Sequence, residues 1–125
     1  MAASVVITGP HWETVQGKSY GYLDFAWTAH TDSAVIKGNT GNLSGPIFGY
    51  IDRMVLKPGA SVSAGNLSLV ENGLDEVLAT KTAFATSGNG VAVDVLKTVA
   101  AQQLYITVSG AGSGKTGTCR VYIQR

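Results

Sequence analysis

Apolar residues alternate with polar ones in three segments of this chain, while the apolar spacing typical of a helix is nearly absent. The segments are YGYLDFAWTAHT at 20–31, LYITVS at 104–109 and TCRVYIQ at 118–124. An alternation of period two is typical of a β-strand that buries one face. In the first segment the face predicted to be buried carries Leu23, Phe25, Trp27 and Ala29. The other two segments are predicted to pair with each other as the last two strands of a sheet.

Turn-forming residues separate these segments from further short runs that fit strands. Sixteen glycines among 125 residues supply many such turns, and 45% of the residues are hydrophobic. Further strands are predicted at 4–8, 34–37, 49–56, 66–71, 82–86 and 91–95, and a short helical turn remains an alternative near 94–100. Short strands at this spacing predict an all-β fold, namely an antiparallel β-sandwich of jelly-roll-like form.

The length of the chain predicts one domain, because 125 residues suffice to bury a single core. Residues 19–125 are expected to form a single β-sandwich domain. Residues 1–18 have the least regular pattern, so we expect an N-terminal arm that extends outside the core. This arm and the loop at 38–46 are the segments that we expect to become ordered when a partner binds.

Charge and cysteine content exclude several classes of function. Nine basic and eight acidic residues give a net charge of +1, which provides no electrostatic argument for nucleic acid as a partner. A single cysteine, Cys119, rules out an internal disulfide framework, and its place on an apolar strand face predicts a small buried side chain. No apolar stretch approaches the ~18 residues that span a membrane. No signal peptide is recognisable, so we expect a soluble protein made in a reducing cytoplasm.

A glycine-rich run near the C-terminus resembles a phosphate-binding loop in spelling. Gly114, Lys115 and Thr116 supply the end of the motif G-x-x-x-x-G-K-[ST], but Ser109 stands where its first glycine is required. The motif also needs a helix after it, whereas the residues that follow Thr116 alternate like a strand. We therefore predict no nucleotide site, and we interpret 110–117 as the loop of a hairpin.

No other grouping of residues predicts catalysis, a metal site or a cofactor. His11 and His30 stand in different settings, and no motif supplies a third ligand. Asp75 and Glu76 follow the Asn72-Gly73 turn and are expected at a solvated turn edge. The chain is therefore not expected to be an enzyme.

Aromatic side chains are the strongest candidates for a binding surface. Trp27 aligns with the apolar face of its strand and is assigned to the core. Tyr20 and Tyr22 lie on the opposite face, and tyrosine is enriched in protein interfaces. Trp12, Tyr20 and Tyr22 are therefore predicted interface residues. A stacking surface for sugar or single-stranded nucleic acid is the alternative, in which Tyr50 would also take part.

The order of segments over 49–125 resembles that of small virion proteins of tailed bacteriophages. The resemblance rests on GYIDRMVLKPGA, then NLSLVENGLDEVLA with its turn and acidic-hydrophobic stretch, and finally LYITVSGAGSGKTGTCRVYI. The last of these segments consists of a strand, a glycine-rich loop and a strand. Such proteins are similar to capsid decoration proteins, also called cement proteins.

The resemblance implies a structural role on the virion, without cofactor or turnover. It implies that the protein forms a homodimer or homotrimer on the outer capsid surface, where it stabilises contacts between major capsid proteins. It also implies synthesis in the cytoplasm of the host. Two alternatives remain: a tail, baseplate or head-fibre component of the same kind of particle, and a carbohydrate-binding β-sandwich module.

Overall fold

A computed structural model describes residues 4–29, 33–35, 44–59, 62, 65–84, 91–112 and 114–125. Within these ranges the chain forms nine β-strands and no helix. The strands are β1 (Ser4–Val15), β2 (Lys18–Thr28), β3 (Ser33–Val35), β4 (Ile47–Pro58), β5 (Gly65–Glu71), β6 (Glu76–Phe84), β7 (Val91–Gln102), β8 (Leu104–Ser109) and β9 (Thr116–Gln124). The described part of the chain thus contains no helix that could cross a membrane. The helical turn considered near 94–100 is wrong, because these residues belong to β7.

The strands form two antiparallel sheets, which confirms the predicted all-β sandwich. One sheet has the order β1-β2-β9-β4-β7 and the other the order β3-β8-β5-β6. The pairs β2–β9, β3–β8, β4–β7 and β5–β6 are nested, as in one long two-stranded ribbon wound over a core. The jelly-roll-like form stays a prediction with which this nesting agrees, and β1 is added at one edge of the five-stranded sheet.

The core lies between the two sheets and is built from alternate residues of their strands. Leu23, Phe25 and Trp27 on β2 are at most 2% exposed, as their spacing predicts. The apolar residues of β5, β8 and β9 complete the same cluster. Because successive side chains of a strand point to opposite faces, the residues before and after each buried residue point toward solvent. The outer face of the five-stranded sheet is therefore fixed by the same alternation that fixes the core.

The predicted pairing of the last two strands is wrong. β8 lies in the four-stranded sheet, where it pairs with β3 and β5, whereas β9 lies between β2 and β4 in the other sheet. The glycine-rich loop between them therefore crosses from one sheet to the other and does not close a hairpin. Alternation shows that each strand buries one face, but two strands that face each other across a core have the same pattern as two that pair.

The predicted N-terminal arm is also wrong for the residues that the structure describes. Residues from Ser4 to Val15 form β1, which pairs with β2 along its whole length. Val5 is 5% exposed and belongs to the core. The pairing register shifts between Thr8 and His11, at Gly9-Pro10. This irregularity interrupts the alternation and explains why the sequence predicts a strand only at 4–8, although β1 continues to Val15. Residues 1–3 and 38–43 lie outside the described ranges.

The segment before β6 is a tight turn, as predicted, but β6 itself begins earlier than expected. Residues 72–75 form the turn, and β6 starts at Glu76 although the sequence predicts a strand only from 82. Asp75 is exposed at this turn and accepts a hydrogen bond of 3.1 Å from the Tyr105 hydroxyl. Its carboxylate therefore ties the turn to β8.

Candidate binding surface

Strand β9 runs between β2 and β4, so side chains from three distant parts of the chain lie side by side on the outer face of the five-stranded sheet. One row across this face reads His11, Tyr22, Tyr122 and Arg53, each opposite the next in the strand register. The neighbouring row contains Asp24 opposite Arg120. We call these six residues the aromatic–arginine face.

The rings and guanidinium groups of this face contact one another directly. The His11 and Tyr22 ring centroids are 5.0 Å apart, and those of Tyr22 and Tyr122 are 6.5 Å apart. Arg120 lies 4.0 Å from the centroid of the Tyr22 ring, and Arg53 lies 4.1 Å from that of Tyr122. A guanidinium at this distance is attracted by the negative face of the ring. The row is therefore connected by tilted ring pairs and cation–π contacts, which restrict the rotamers of its members.

An ion pair fixes the position of Arg120 on this face. Its Nε and Nη2 atoms donate to the two carboxylate oxygens of Asp24 at 2.7 and 2.9 Å. The hydrogen bond to Asp24 raises the pKa of Arg120 above its ordinary value. The Arg120 side chain is 41% exposed, so solvent screens the pair and its contribution to folding is less than about 1 kcal/mol. Its main consequence is orientation, because a two-point contact holds the guanidinium plane in place.

The predicted interface residues do not share one surface. Tyr20 and Tyr22 both lie on the outer face, and Tyr20 is 39% exposed. Trp12 instead packs against the core from the edge strand β1, over Gly21. A side chain at Gly21 would overlap the Trp12 ring, so the glycine makes room for the indole. Arg125 stacks on the same ring, 4.1 Å from its centroid.

The sequence interpretation missed the residues that complete the surface, namely Asp24, Arg53, Arg120 and Tyr122. Arg120 and Tyr122 occupy the polar positions of TCRVYIQ, so alternation alone could have marked them as outward-facing. Nothing in the sequence indicates that Arg53 lies beside them, because its strand is more than sixty residues away. All three arginines of the chain form cation–π contacts with aromatic rings. Three such contacts in 125 residues exceed the usual frequency of about one cation–π contact per 70–80 residues.

Shallow hollows follow the outer face on either side of the row from His11 to Arg53. One, of about 420 Å³, lies over the ion pair and is lined by Asp24, Val55, Lys57, Thr118, Arg120 and Tyr122. Another, of about 450 Å³, is lined by Lys18, Ser19, Tyr20, Tyr50, Gln124 and Arg125. We call the second the tyrosine hollow. Neither is a deep cleft of the kind that encloses a reacting substrate.

The residues that resemble a phosphate loop are engaged within the fold. The Gly114 amide donates to the Ala29 carbonyl oxygen at 3.0 Å, and the Ala29 amide donates to Lys115 at 2.8 Å. Thr116 begins β9, so a strand follows the glycines, as predicted. Two of the features that bind phosphate are thus lacking in this part of the structure, since the Gly114 amide is occupied and no helix N-terminus follows the loop.

Metal-binding groups do not converge among the described residues. Within that part of the chain, no three side chains of the types His, Cys, Asp and Glu lie close enough together to hold a metal ion. His11 stacks on Tyr22, and His30 lies outside the described ranges. The described residues therefore give no support to metal-assisted chemistry on this surface.

Cys119 is buried, as predicted, directly beneath the outer face. It is 0% exposed and its sulfur lies 4.0 Å from the Met54 sulfur. Burial, with a smaller effect of the Asp24 charge, raises the pKa of the thiol to about 12 from an ordinary value of 9.0. The thiol is therefore neutral at physiological pH and is a poor nucleophile.

The raised pKa predicts a loss of stability at alkaline pH. Below pH 9 the thiol is neutral in both the folded and the unfolded chain. Between pH 9 and about 12 only the unfolded chain loses the proton, so ionisation favours unfolding. We expect the thiol to lower the free energy of unfolding by about 1 kcal/mol at pH 10 relative to pH 8. Urea unfolding of the wild type and of Cys119→Ala at both pH values isolates this effect, because other groups titrate in both proteins. An unchanged difference between the two proteins would contradict it.

Comparison of the chain with protein-family models, with curated proteins and with solved structures gives no match. We therefore infer its function from the fold and from the chemistry of its surfaces.

Proposed function

We propose that this protein is a non-enzymatic component of a phage virion, a capsid decoration protein that binds the outer capsid shell. In this proposal its partner is the major capsid protein, and it binds as a homodimer or homotrimer made in the host cytoplasm. The proposal assigns the contact with the capsid to the aromatic–arginine face. It requires no cofactor, nucleic acid or membrane.

The observation that supports the proposal most directly is the composition and order of this face. Tyrosine and arginine are the residues that contribute most to protein interfaces. On this surface they come from three neighbouring strands, and the ring and cation–π contacts and the Asp24–Arg120 pair restrict them before any partner binds. Side chains that are already ordered lose less conformational entropy on association. A broad, shallow and preordered surface suits a protein partner better than a small substrate.

The architecture also suits a protein that must add stability to a shell. Backbone hydrogen bonds between strands hold each face of a sandwich in place. A partner that contacts such a face therefore does not need ordered loops. An oligomer would present several copies of the face, and weak contacts to several capsid subunits would then combine through multivalency. By this arrangement a chain of 125 residues could stabilise contacts between its neighbours on the shell.

The proposal is tested by adding purified protein to capsids assembled without it. We expect cosedimentation and a higher temperature of capsid disruption. The double variant Arg53→Ala/Tyr122→Ala removes one cation–π pair from the face and is expected to weaken binding by roughly tenfold or more. The control is Lys81→Ala/Leu74→Ala. It removes a cation from β6, in the other sheet, and a large apolar side chain from the turn before β6.

Two outcomes would contradict the proposal. One is that the wild-type protein does not bind such capsids at all. The other is that the face variant, shown to be folded by its unfolding transition, binds as tightly as the control. Binding to isolated tails or baseplates in place of capsids would favour the alternative location on the particle.

A further inference from the structure

The geometry points to a saccharide-binding site in the tyrosine hollow, for a sugar ring that carries a carboxylate. This inference does not rest on the capsid proposal, because it concerns a different set of residues and a different class of ligand. The observations behind it are the two tyrosine rings, the glutamine between them and the lysine beside them.

Two exposed tyrosines form the walls of the hollow. Tyr20 on β2 and Tyr50 on β4 both lie opposite Gln124 on β9, so the three side chains form one row across the sheet. Adjacent strands are about 4.8 Å apart, which places the two tyrosine backbones roughly 10 Å from each other. The tyrosines are 39% and 37% exposed, so their rings present area to solvent above the sheet. Both stand on central strands and not on loops.

The distance between the walls suits a flat, six-membered ring. A ring that contacts another ring on each of its faces at van der Waals distance needs walls about 7–8 Å apart. Two side chains that rise from positions roughly 10 Å apart reach that separation when they lean slightly toward each other. The axial hydrogens of a pyranose form an apolar face that packs on an aromatic ring, while its hydroxyls project from the edge. An aliphatic chain would leave much of both tyrosine rings uncovered.

The floor and rim of the hollow supply the polar groups that such a ligand needs. The Gln124 side chain is exposed between the walls, and its amide offers both donors and an acceptor to sugar hydroxyls. Lys18 and Arg125 both line the hollow, but the Arg125 guanidinium stacks on Trp12, which packs against the core, so Lys18 supplies the cation on the outer face. The described residues that line the hollow include no aspartate or glutamate side chain. Glu13 lies opposite Tyr20 on β1, across β2 from β9, and does not line the hollow. A rim with one cation and no carboxylate side chain among its described residues favours a sugar with a carboxylate over a neutral one.

The backbone beneath the hollow is fixed by hydrogen bonds. Ser19 and Arg125 exchange two backbone hydrogen bonds, of 3.3 and 3.0 Å, which extend the β2–β9 ladder to the end of the hollow. A ligand would therefore enter a preformed site and would not have to order it. A nucleobase could stack between the same walls, but a nucleic acid would also need a row of cations for its phosphates. The same sheet carries the acidic residues Asp24, Asp52 and Glu13, which would repel those phosphates.

The test is calorimetric titration of the free protein with three probes: tetragalacturonic acid, cellotetraose as a neutral tetrasaccharide, and an oligodeoxythymidylate. We expect saturable binding of the acidic tetrasaccharide, and binding of the neutral one that is weaker by roughly tenfold, a difference of about 1.4 kcal/mol. Tyr50→Ala and Tyr20→Ala should each weaken binding of the acidic probe by roughly tenfold or more. Lys18→Gln should weaken its binding and leave binding of the neutral probe unchanged.

The matched control is Phe48→Ala, which removes an aromatic side chain that is 57% exposed on the same strand as Tyr50 but does not line the hollow. It should bind the acidic probe as the wild type does. The inference is overturned if neither tetrasaccharide binds, if Tyr20→Ala and Tyr50→Ala bind as tightly as Phe48→Ala, or if only the oligodeoxythymidylate binds. Equal affinity for the two tetrasaccharides would overturn the assignment of a carboxylate-bearing sugar.

Discussion

Replacing Phe25 by alanine is expected to lower the free energy of unfolding by about 3–5 kcal/mol. Phe25 is 0% exposed, and it lies on β2 between Ile7 of β1 and Cys119 of β9. Its truncation removes an aromatic ring from the centre of the core and leaves a cavity that the two sheets cannot easily close. Because small domains are stable by only about 5–15 kcal/mol, the loss is a large fraction of the total.

Equilibrium unfolding in urea measures this loss, and Phe48→Ala provides the control with the same chemical change. Phe48 is 57% exposed, so its truncation is expected to change the free energy of unfolding by less than about 0.5 kcal/mol. Similar values for the two variants would mean that the side chain of Phe25 does not lie in the core.

Replacing Gly49 by alanine is expected to cost about 2–4 kcal/mol, although only a methyl group is added. Gly49 has a φ of 139°, in a region that residues with a side chain rarely adopt. A Cβ atom at this position would also overlap the carbonyl oxygen of Gln124 and come within 3.3 Å of Arg125. The substitution therefore strains β4 and pushes it away from β9.

The same change should disturb the tyrosine hollow, because Tyr50 directly follows Gly49 and Gln124 is the residue it would displace. The control is Gly45→Ala, since a Cβ at Gly45 meets nothing within 4 Å and its φ is not in the unfavourable region. Thermal unfolding of both variants tests the prediction. A Gly49→Ala protein as stable as Gly45→Ala would show that the strand pair relaxes at little cost.

These two substitutions show how closely the outer surface depends on the core. Buried residues fix the position of the outward residues that alternate with them on the same strand. On β2, for example, the buried Leu23 and Phe25 fix the positions of Tyr22 and Asp24. A change that shifts β4 or β9 therefore alters the aromatic–arginine face and the tyrosine hollow together. Surface variants such as Tyr50→Ala, by contrast, test binding without moving the strands.

The sequence predicts the strand content and the buried face of β2 correctly because alternation is a local property of the chain. Leu23, Phe25 and Trp27 are buried, and Cys119, Val121 and Ile123 are buried on β9, as their spacing indicates. The same reasoning found only residues 4–8 of β1, because Gly9-Pro10 breaks the alternation, and it failed for the partner of β8, which alternation cannot identify. The position of Trp12 against the core was missed for the first of these reasons.

In the candidate sites, too, the sequence predicts which side chains face outward but does not predict which of them lie side by side. The sequence predicts that Tyr20 and Tyr22 face outward, because they lie opposite the apolar face of their own strand. That Tyr20 stands across Gln124 from Tyr50, and that Tyr122 stacks beneath Arg53, follows only from the order β2-β9-β4.

By itself the amino-acid sequence determined which residues alternate, and hence which side chains turn inward or outward on each strand. Only the tertiary structure decided which strands lie side by side, since strand pairing depends on backbone hydrogen bonds and packing between segments far apart in the chain. The glycine-rich loop illustrates this, because the same residues could close a hairpin within one sheet or cross between two. The burial of β8 and β9 in opposite layers of one core selects the crossing.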